Sequence, residues 1–388
     1  MEQKGRSFSS DKTIIMAFLE YPPELWGVPY GGITAYLITA VKGYMRAGYR
    51  VELIIPDITG RPPVSTRYLR IHKLPWIKGN GKLAFFWNSL VFDFLVLLCV
   101  MRIKRKRNAI FVEVPDWRTP GLFLALFKPL PLLLKLHGPS FICREFSGRK
   151  SGILERFFLF KEKFVGRKAD LIIYPGIERW NRTKKEWNLS EEKGFFLEHP
   201  VDTELFSPRK PPRKRTFNCI YVGKMIHLKG IDILLKTTEL LKHEPIMFIL
   251  VGPDTEGVMR DYMKKKPRNI IYVRGPVIRE RIPNFYRIAD VAVVPSRPGG
   301  MEYTTLEAMA FGLPVICTYP PGKKEVLEGV YMVPPEDPYA LASAIKKLAR
   351  SSRLRKKYAE EGREYVLSRY SPERIARITV EKMREVIK

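Results

Sequence analysis

The residues best suited to chemistry lie between Val291 and Thr318, where the sequence reads VAVVPSRPGGMEYTTLEAMAFGLPVICT. An apolar segment of strand type, a glycine pair, a short helical pattern and a second apolar segment follow one another, which predicts a parallel βαβ unit. Glycines let a ligand approach the backbone, and the amides of Thr304 and Thr305 at the helix start suit an anionic group. Glu307 lies one turn further along. This arrangement predicts a pocket for a nucleotide sugar.

A basic element comes earlier, where YVGKMIHLKGIDILL places Lys224 and Lys229 between a strand-type segment and a helical pattern. Ligands of parallel sheets collect at the carboxyl ends of strands, so both lysines could point at one diphosphate. In so basic a chain, solvated surface lysines are the alternative interpretation.

The N-terminal half offers three candidate positions. His137 follows the apolar run LLLKL, and a lone histidine there is either structural or catalytic. Gly31 and Gly32 come directly before a helical pattern, and a helix start behind two glycines is a usable anion site. Asp116 and Trp117 follow another strand-type segment and could line an acceptor site.

The segment from Pro295 to Val315 resembles the signature of retaining glycosyltransferases of GT-B fold and family 4 type. In that signature a Pro-Ser pair leads to two glutamates separated by seven residues, followed by Ala-Met-Ala and Gly-x-Pro-Val. Glu307 matches the second glutamate, whereas the position of the first is Gly299. Glu302 lies three residues later, where the family usually carries glycine. Glu302 either replaces the missing glutamate from a shifted register or is a solvated loop carboxylate.

The resemblance implies a role for each matching residue. Glu307 accepts hydrogen bonds from the ribose hydroxyls, although Thr304 to Glu307 alone also reads as a capping box that merely begins a helix. The two lysines neutralise the leaving diphosphate, and His137 is the catalytic residue that contacts the donor sugar. The predicted donor-binding residues are Gly31, Gly32, Lys224, Lys229, Gly300, Met301, Glu302, Tyr303, Thr304, Thr305 and Glu307.

The same resemblance predicts a reaction without a metal or another cofactor. Cations in the loop take over the neutralisation of the leaving diphosphate, and the sequence has no compact DxD element. It also offers no well-placed pair of carboxylates, so the leaving phosphate itself is the expected base. The site would then act by stabilising charge and positioning the acceptor.

Charge and composition narrow the class of protein. The 388 residues are 45% hydrophobic and 12% aromatic, which predicts a globular chain of two ordinary domains. A formal net charge of +28 indicates an anionic partner, among which nucleic acid, anionic lipid and phosphorylated substrates fit. A charge-rich surface of the kind hyperthermophiles use is the alternative. No nucleic-acid-binding module is recognisable, so nucleic acid ranks last.

Cysteine usage and the N-terminal sequence predict a cytoplasmic protein. The four cysteines are scattered at Cys99, Cys143, Cys219 and Cys317 without metal-ligand spacing. The first residues, MEQKGRSFSSDK, lack the apolar core of a signal peptide.

One apolar stretch, Leu83 to Met101, leaves three interpretations open. It contains Asn88, Ser89 and Asp93 and is followed by the basic run RIKRKR. A buried helix with a basic C-terminal end is the first interpretation. A helix lying on an anionic membrane surface is the second, and a membrane span the third. The protein would in the second case be peripheral on the inner face of the membrane.

The order of elements predicts an α/β fold with two doubly wound, Rossmann-like domains facing across a cleft, as the GT-B resemblance implies. The linker-like run SPRKPPRKRT begins at Ser207. We therefore predict an N-terminal acceptor-side domain over residues 1–205 and a nucleotide-sugar-binding domain over 206–371. The final helix, 372–388, is expected to cross back to the first domain.

Three functions are compatible with these features. The first is a retaining hexosyltransferase that uses a nucleoside diphosphate sugar and an acceptor hydroxyl, on either a lipid-linked or a soluble acceptor. A catalytically weak or inactive nucleotide-sugar-binding protein is the second, suggested by Gly299. A nucleic-acid binder, suggested only by charge, is a distant third.

Overall fold

Each half of the chain folds as a parallel β-sheet covered by helices. The computed structural model describes residues 12–19, 32–57, 65–76, 81–142, 152–210, 212, 216–297, 302–318 and 328–388. The chain forms two compact units. The first extends to Pro200 and also contains Pro372–Lys388, and the second comprises Val201–Ser371.

The first unit is built on seven parallel strands in the order β3-β2-β1-β4-β5-β6-β7. The strands are β1 (Lys12–Ala17), β2 (Arg50–Asp57), β3 (Leu69–Pro75), β4 (Asn108–Pro115), β5 (Leu132–Lys135), β6 (Leu171–Tyr174) and β7 (Gly194–Phe196). The helices are α1 (Gly32–Arg46), α2 (Lys82–Lys106), α3 (Leu122–Phe127), α4 (Ile153–Lys168) and α5 (Ile177–Trp187), with the C-terminal helix α12 (Pro372–Ile387). The central strands are continuous apolar runs because helices cover both of their faces.

The second unit has six parallel strands in the order β10-β9-β8-β11-β12-β13. The strands are β8 (Phe217–Val222), β9 (Ile246–Gly252), β10 (Ile270–Arg274), β11 (Val291–Val294), β12 (Val315–Thr318) and β13 (Tyr331–Val333). The helices are α6 (Ile231–Leu240), α7 (Val258–Met263), α8 (Ile282–Tyr286), α9 (Tyr303–Phe311), α10 (Pro338–Arg350) and α11 (Ser352–Arg369).

Both sheets confirm the predicted doubly wound fold. In each of them the strand order reverses beside the first strand, between β1 and β4 in one unit and between β8 and β11 in the other. Ligands of such sheets bind outside the carboxyl ends of the strands at this reversal. The fold thus singles out the loops after β1, β4, β8 and β11.

The boundary between the units lies slightly before the predicted one. The backbone N–H of Val201 donates to the carbonyl of Tyr370, and Phe206 is fully buried in the second unit's core. Residues 201–205, which the sequence assigned to the first domain, therefore pack with the second.

The C-terminal helix is held against α1 by a close backbone approach. A Cβ at Gly43 of α1 would lie 2.3 Å from the carbonyl oxygen of Pro372, at the start of α12. Only a residue without a side chain fits there, so Gly43 lets the two helices meet.

The long apolar stretch forms α2, which packs one face on the first unit. Phe92, Val96 and Val100 on that face are fully buried. By length and composition alone, Leu83–Lys106 could cross a membrane, and 39% of its most apolar 18-residue segment is buried.

Candidate functional site

In the second unit, the loops after β8 and β11 are in direct contact. Gly230 has a positive φ of 70°, and a Cβ there would lie 1.9 Å from the carbonyl oxygen of Pro295. The backbone N–H of Arg297 donates to the carbonyl of Leu228, 3.1 Å away. Lys229 and Gly230 therefore lie against Pro295 and Ser296, at the point where the strand order of the sheet reverses. Glycine at position 230 allows both the left-handed backbone and the close approach of the two loops.

Two of the predicted donor-binding residues form an ion pair at this place. Lys229 Nζ lies 2.7 Å from Oε2 of Glu302, and both side chains are partly exposed. Glu302 is thus a paired carboxylate directly before α9, and whether it replaces the missing glutamate stays a prediction. Lys224, on the same loop, is exposed, and its carbonyl accepts a hydrogen bond from the hydroxyl of Tyr221.

Helix α9 begins earlier than the capping-box interpretation requires. Glu302 is the residue before the helix and makes no side-chain cap, and the N–H of Leu306 donates to the Glu302 carbonyl. The alternative that Glu307 merely caps the helix is therefore wrong. Thr304 lies in the first turn, and the Tyr286 hydroxyl donates to its carbonyl.

The first turn of α9 also contains a buried polar atom. Thr305 is fully buried, and its Oγ1 has no hydrogen-bond partner among the described residues. Buried hydroxyls are rarely left without a partner, so such an atom at a helix N-terminus suits a bound ligand. Tyr303 is the first residue of the helix, with burial raising the pKa of its phenol.

Glu307 lies inside the second unit and is paired with an arginine that sequence reasoning missed. Arg279 Nε donates to Oε1 of Glu307 at 2.8 Å, and Nη2 lies 2.8 Å from the same oxygen. Both side chains are buried, and the guanidinium lies 5.1 Å from the ring centroid of Phe206. Burial raises the pKa of Glu307, and the charge of Arg279 opposes that rise.

In the first unit, two buried carboxylates shape the loops after β4 and β5. Asp116 accepts from the backbone N–H groups of Trp117, His137 and Gly138 at 2.8–2.9 Å. Glu162 accepts from the N–H of Arg118 and from both N–H and hydroxyl of Ser140. Burial raises the pKa of Asp116 to about 6 and that of Glu162 to about 7.

This arrangement corrects the prediction that Asp116 lines an acceptor site. All of its hydrogen bonds go to backbone groups, and the side chain is fully buried. Asp116 holds the loop that carries His137 instead of facing an acceptor. Trp117 is partly exposed and lies against the guanidinium of Arg118, 4.8 Å from its ring centroid.

His137 sits in an aromatic cluster at the carboxyl end of β5. Its ring stacks on His199 with centroids 4.7 Å apart and meets Tyr36 edge-on at 4.7 Å. Burial, Lys135 and Arg179 together hold the pKa of His137 well below its usual value, which keeps the imidazole neutral. Its Nε2 is buried without a hydrogen-bond partner in the described part of the chain. His199, to which the sequence assigned no role, is therefore part of the cluster.

A buried polar network lies beneath this cluster. Glu113 accepts hydrogen bonds from the hydroxyls of Tyr36 at 2.5 Å and Tyr44 at 2.6 Å. Lys135 Nζ lies 5.4 Å from the Tyr36 ring centroid and donates to the carbonyl of Leu197. Burial lowers the pKa of Lys135 to about 7, and the charge of Glu113 opposes this.

The other predicted site residues lie at or beyond the ends of the described segments. Gly32 is the first residue of α1. Gly31, Gly299, Gly300 and Met301 lie outside the described residues. Among the residues that the structure describes, no three His, Cys, Asp or Glu side chains come together as a metal-binding group.

The doubly wound fold of each unit and the loops at the reversals of the two sheets indicate a class of protein, and comparison with known proteins identifies it. Residues 30–205 match the family described as Glycosyltransferase Family 4, and residues 216–351 match Glycosyl transferases group 1. The two matches together span most of the chain. The protein belongs to the group 1 glycosyltransferases of GT-B fold.

Individual relatives are distant. The chain is 27% identical over 219 residues to the uncharacterized glycosyltransferase MJ1607 of Methanocaldococcus jannaschii, covering 54% of this chain and about half (52%) of that protein. Sucrose-phosphate synthase from Thermosynechococcus elongatus superimposes with a TM-score of 0.77 at 19% identity, over 97% of this chain and 99% of that one. HepE of Anabaena in complex with UDP-glucose gives a TM-score of 0.64 at 15% identity, over 96% and 99%. The structural likenesses concern the fold alone.

Proposed function

We propose that this glycosyltransferase is a retaining enzyme that transfers a hexose from a nucleoside diphosphate sugar to an acceptor hydroxyl. The observation that carries the proposal is the contact of Lys229 with Glu302 at the N-terminus of α9, whose first turn contains the Thr305 hydroxyl, a group without a hydrogen-bond partner among the described residues. A cation, free helix amides and a buried hydroxyl together suit a diphosphate. The UDP-glucose complex of HepE supports a donor of this class.

Each residue in the proposal has a defined task. Lys229 and Lys224 stabilise the charge of the leaving diphosphate, and the amides of Thr304 and Thr305 contribute to the same end. Glu307 accepts hydrogen bonds from the ribose hydroxyls at Oε2, while Arg279 donates to its other oxygen, Oε1. His137 presents its neutral Nε2 to the donor sugar. The leaving phosphate takes the acceptor proton, so no metal or further cofactor enters the proposal.

A nucleotide-sugar-binding protein without transfer is the second candidate. Gly299 stands where the family carries its first glutamate, and the residue that could replace it, Glu302, is engaged by Lys229. The two candidates differ in one measurable property. An enzyme releases nucleoside diphosphate from its donor when acceptor is present, whereas a binding protein returns the donor intact.

We further propose a lipid-linked acceptor and a position at the cytoplasmic surface of a membrane. The net charge of +28 favours a negatively charged surface. A soluble sugar acceptor is the alternative.

Calorimetric titration with UDP, GDP and ADP tests the proposal. We expect one nucleotide to bind the wild type, and Lys229→Gln to weaken it by about 1.5–3 kcal/mol, the contribution of a hydrogen bond to a charged group. Lys236→Gln is the matched control, because it removes the same charge from an exposed position on α6. If none of the three nucleotides binds, or if both variants weaken binding equally, the proposed donor site is wrong.

A further inference from the structure

Helix α2 turns a row of large apolar side chains toward solvent. These side chains, which we call the apolar stripe, are between 42% and 66% exposed: Leu83, Trp87, Val91, Phe94 and Leu98. Spacings of three and four residues place them on one face of the helix, over a length of about 22 Å at 1.5 Å per residue. Exposed apolar groups are usually scattered, so a continuous row indicates a surface that binds something.

The opposite, buried face of α2 contains the polar side chains of Ser89 and Asp93 among apolar ones. Lys161 of α4 donates to Ser89 Oγ at 2.9 Å and to Asp93 Oδ2 at 3.2 Å, with Lys161 and Asp93 fully buried. Large apolar side chains therefore lie on both faces of α2, whereas an ordinary surface helix is apolar toward the core and polar toward solvent. Turning the stripe inward would leave the buried charge of Lys161 unpaired, which is strongly unfavourable. The outward direction of the stripe is therefore built into the fold.

All the surface charge on α2 is positive. Asp93 is its one acidic residue and is buried, whereas Arg102, Lys104, Arg105 and Lys106 are exposed. Arg105 follows Trp87 by 18 residues, which is five helical turns, so it continues the line of the stripe. The helix thus combines an apolar row with a basic end on one face.

The basic surface continues beyond the end of the helix. Arg107, the first residue after α2, lines a cavity of about 290 Å³ together with Arg50, Arg67 and Arg70. Glu52 at the cavity is already paired with Arg107 and His72. Arginine forks of this kind suit phosphate groups, which they bind through two hydrogen bonds at once.

We propose that the apolar stripe and the basic end of α2 dock the first unit on the surface of a bilayer containing anionic phospholipids. The helix lies in the plane of the interface, with Trp87 and Phe94 among the acyl chains and Arg102 and Arg105 at the phosphates. It does not cross the bilayer, because its other face packs on the unit's core and contains the Asp93–Lys161 pair. Charge complementarity favours the bilayer over a second copy of the chain, whose α2 would present the same positive charges.

The inference rests on the proposed membrane acceptor for its purpose, but its test requires no donor. Co-sedimentation is measured with vesicles of phosphatidylcholine alone and with about one-third phosphatidylglycerol, at low and high salt. We expect the wild type to bind only the anionic vesicles, and more weakly as salt rises. Trp87→Ser with Leu98→Ser should lower the partition constant at least about tenfold. Arg102→Gln with Arg105→Gln should lower it about thirtyfold.

Matched variants in the second unit distinguish vesicle binding through α2 from nonspecific binding by any exposed apolar or basic side chain. Tyr339→Ser with Leu367→Ser removes side chains of similar exposure, 72% and 41%, from α10 and α11. Lys356→Gln with Lys357→Gln removes the same charge from α11. Neither control should change vesicle binding. Circular dichroism and nucleotide titration on every variant verify the fold independently of the membrane.

Three results would overturn the inference. The first is a wild type that does not bind anionic vesicles, and the second is a loss of binding in the controls as large as in the α2 variants. The third is a dimer in analytical ultracentrifugation that the stripe variant dissociates, which would assign the stripe to a second copy. If the wild type binds no nucleotide, the proposed donor site is wrong. That result does not bear on the docking of α2, because the vesicle assay contains no nucleotide.

Discussion

Arg279 Nε lies 2.8 Å from Oε1 of Glu307, and both side chains are buried in the second unit. The carboxylate proposed to bind ribose is therefore also half of a buried ion pair. Removing one member leaves a charge without compensation, whereas replacing both by apolar residues is often tolerated. Substitutions at Glu307 consequently report on stability as well as on binding.

Glu307→Ala should lower the free energy of unfolding of the second unit by about 3–5 kcal/mol. The double variant Arg279→Met with Glu307→Met should lose less than either single variant, because no unpaired charge remains. Urea unfolding followed by far-ultraviolet circular dichroism measures both. If the double variant loses the sum of the single losses, the pair does not interact as the structure indicates. Glu307→Gln is the better variant for testing ribose binding, since it keeps the shape of the side chain.

Glu302→Gln should raise the affinity for nucleoside diphosphate by about threefold to tenfold. Glu302 pairs with Lys229, so an entering diphosphate has to displace it, and a neutral side chain competes less well. Calorimetric titration measures the change. Glu336→Gln is the control, because it neutralises a carboxylate of another ion pair in the same unit, with Arg297. A fall in affinity for the complete nucleotide sugar, with no change for the diphosphate, would show instead that Glu302 contacts the donor sugar.

The two stacked histidines predict a pH dependence of the first unit's stability. Burial holds the pKa of His137 and of His199 well below 6.5 in the folded protein. As the pH falls, both histidines are therefore protonated in the unfolded chain before they are protonated in the folded one. Their contribution is present above pH 6.5 and is lost as the pH falls below it, by about 1.4 kcal/mol per pH unit for each histidine. Asp116 and Glu162, whose pKa values burial raises, act in the opposite direction.

A single variant isolates this effect from the opposing carboxylates. His199→Phe should be less sensitive to acid than the wild type by about 1.4 kcal/mol per pH unit below pH 6.5. Tryptophan fluorescence during urea unfolding reports on the first unit, where Trp180 and Trp187 are buried. His243→Gln, at an exposed position of the second unit, should leave the slope unchanged. Equal slopes for wild type and His199→Phe would contradict a buried neutral His199.

The pair between Lys161 and Asp93 gives a fourth prediction. Lys161→Met should lower the stability of the first unit by about 3–5 kcal/mol, and adding Asp93→Leu should recover most of the loss. Burial raises the pKa of Asp93 to about 6 even beside the lysine, which reflects how little water reaches it. The same fluorescence-detected unfolding measures the variants. An unchanged loss in the double variant would mean that packing, not the unpaired charge, explains the effect.

Much of the fold could be predicted because buried parallel strands are uninterrupted apolar runs. The edge strands β3 (LRIHKLP) and β7 (GFF) lack such runs and are partly exposed, so their sequences carried no clear signal. The motif around α9 could likewise be recognised because its residues are close together in the chain. Arg279 and His199 could not, since their contacts with Glu307 and His137 depend on tertiary packing and leave no local pattern. For the same reason, the sequence did not determine which face of α2 points toward solvent. In the structure, the contacts of Lys161 with Ser89 and Asp93 fix that orientation.

The buried pair on α2 has a consequence for how the chain can vary in length. Each residue of an α-helix advances the direction of its side chain by about 100°, so one residue inserted after Asp93 would rotate everything that follows. Phe94, Leu98 and Arg105 would then no longer share a direction with Trp87, although the composition and apolar character of the helix would hardly change. We therefore expect insertions and deletions to be excluded from this segment more strictly than substitutions between apolar residues.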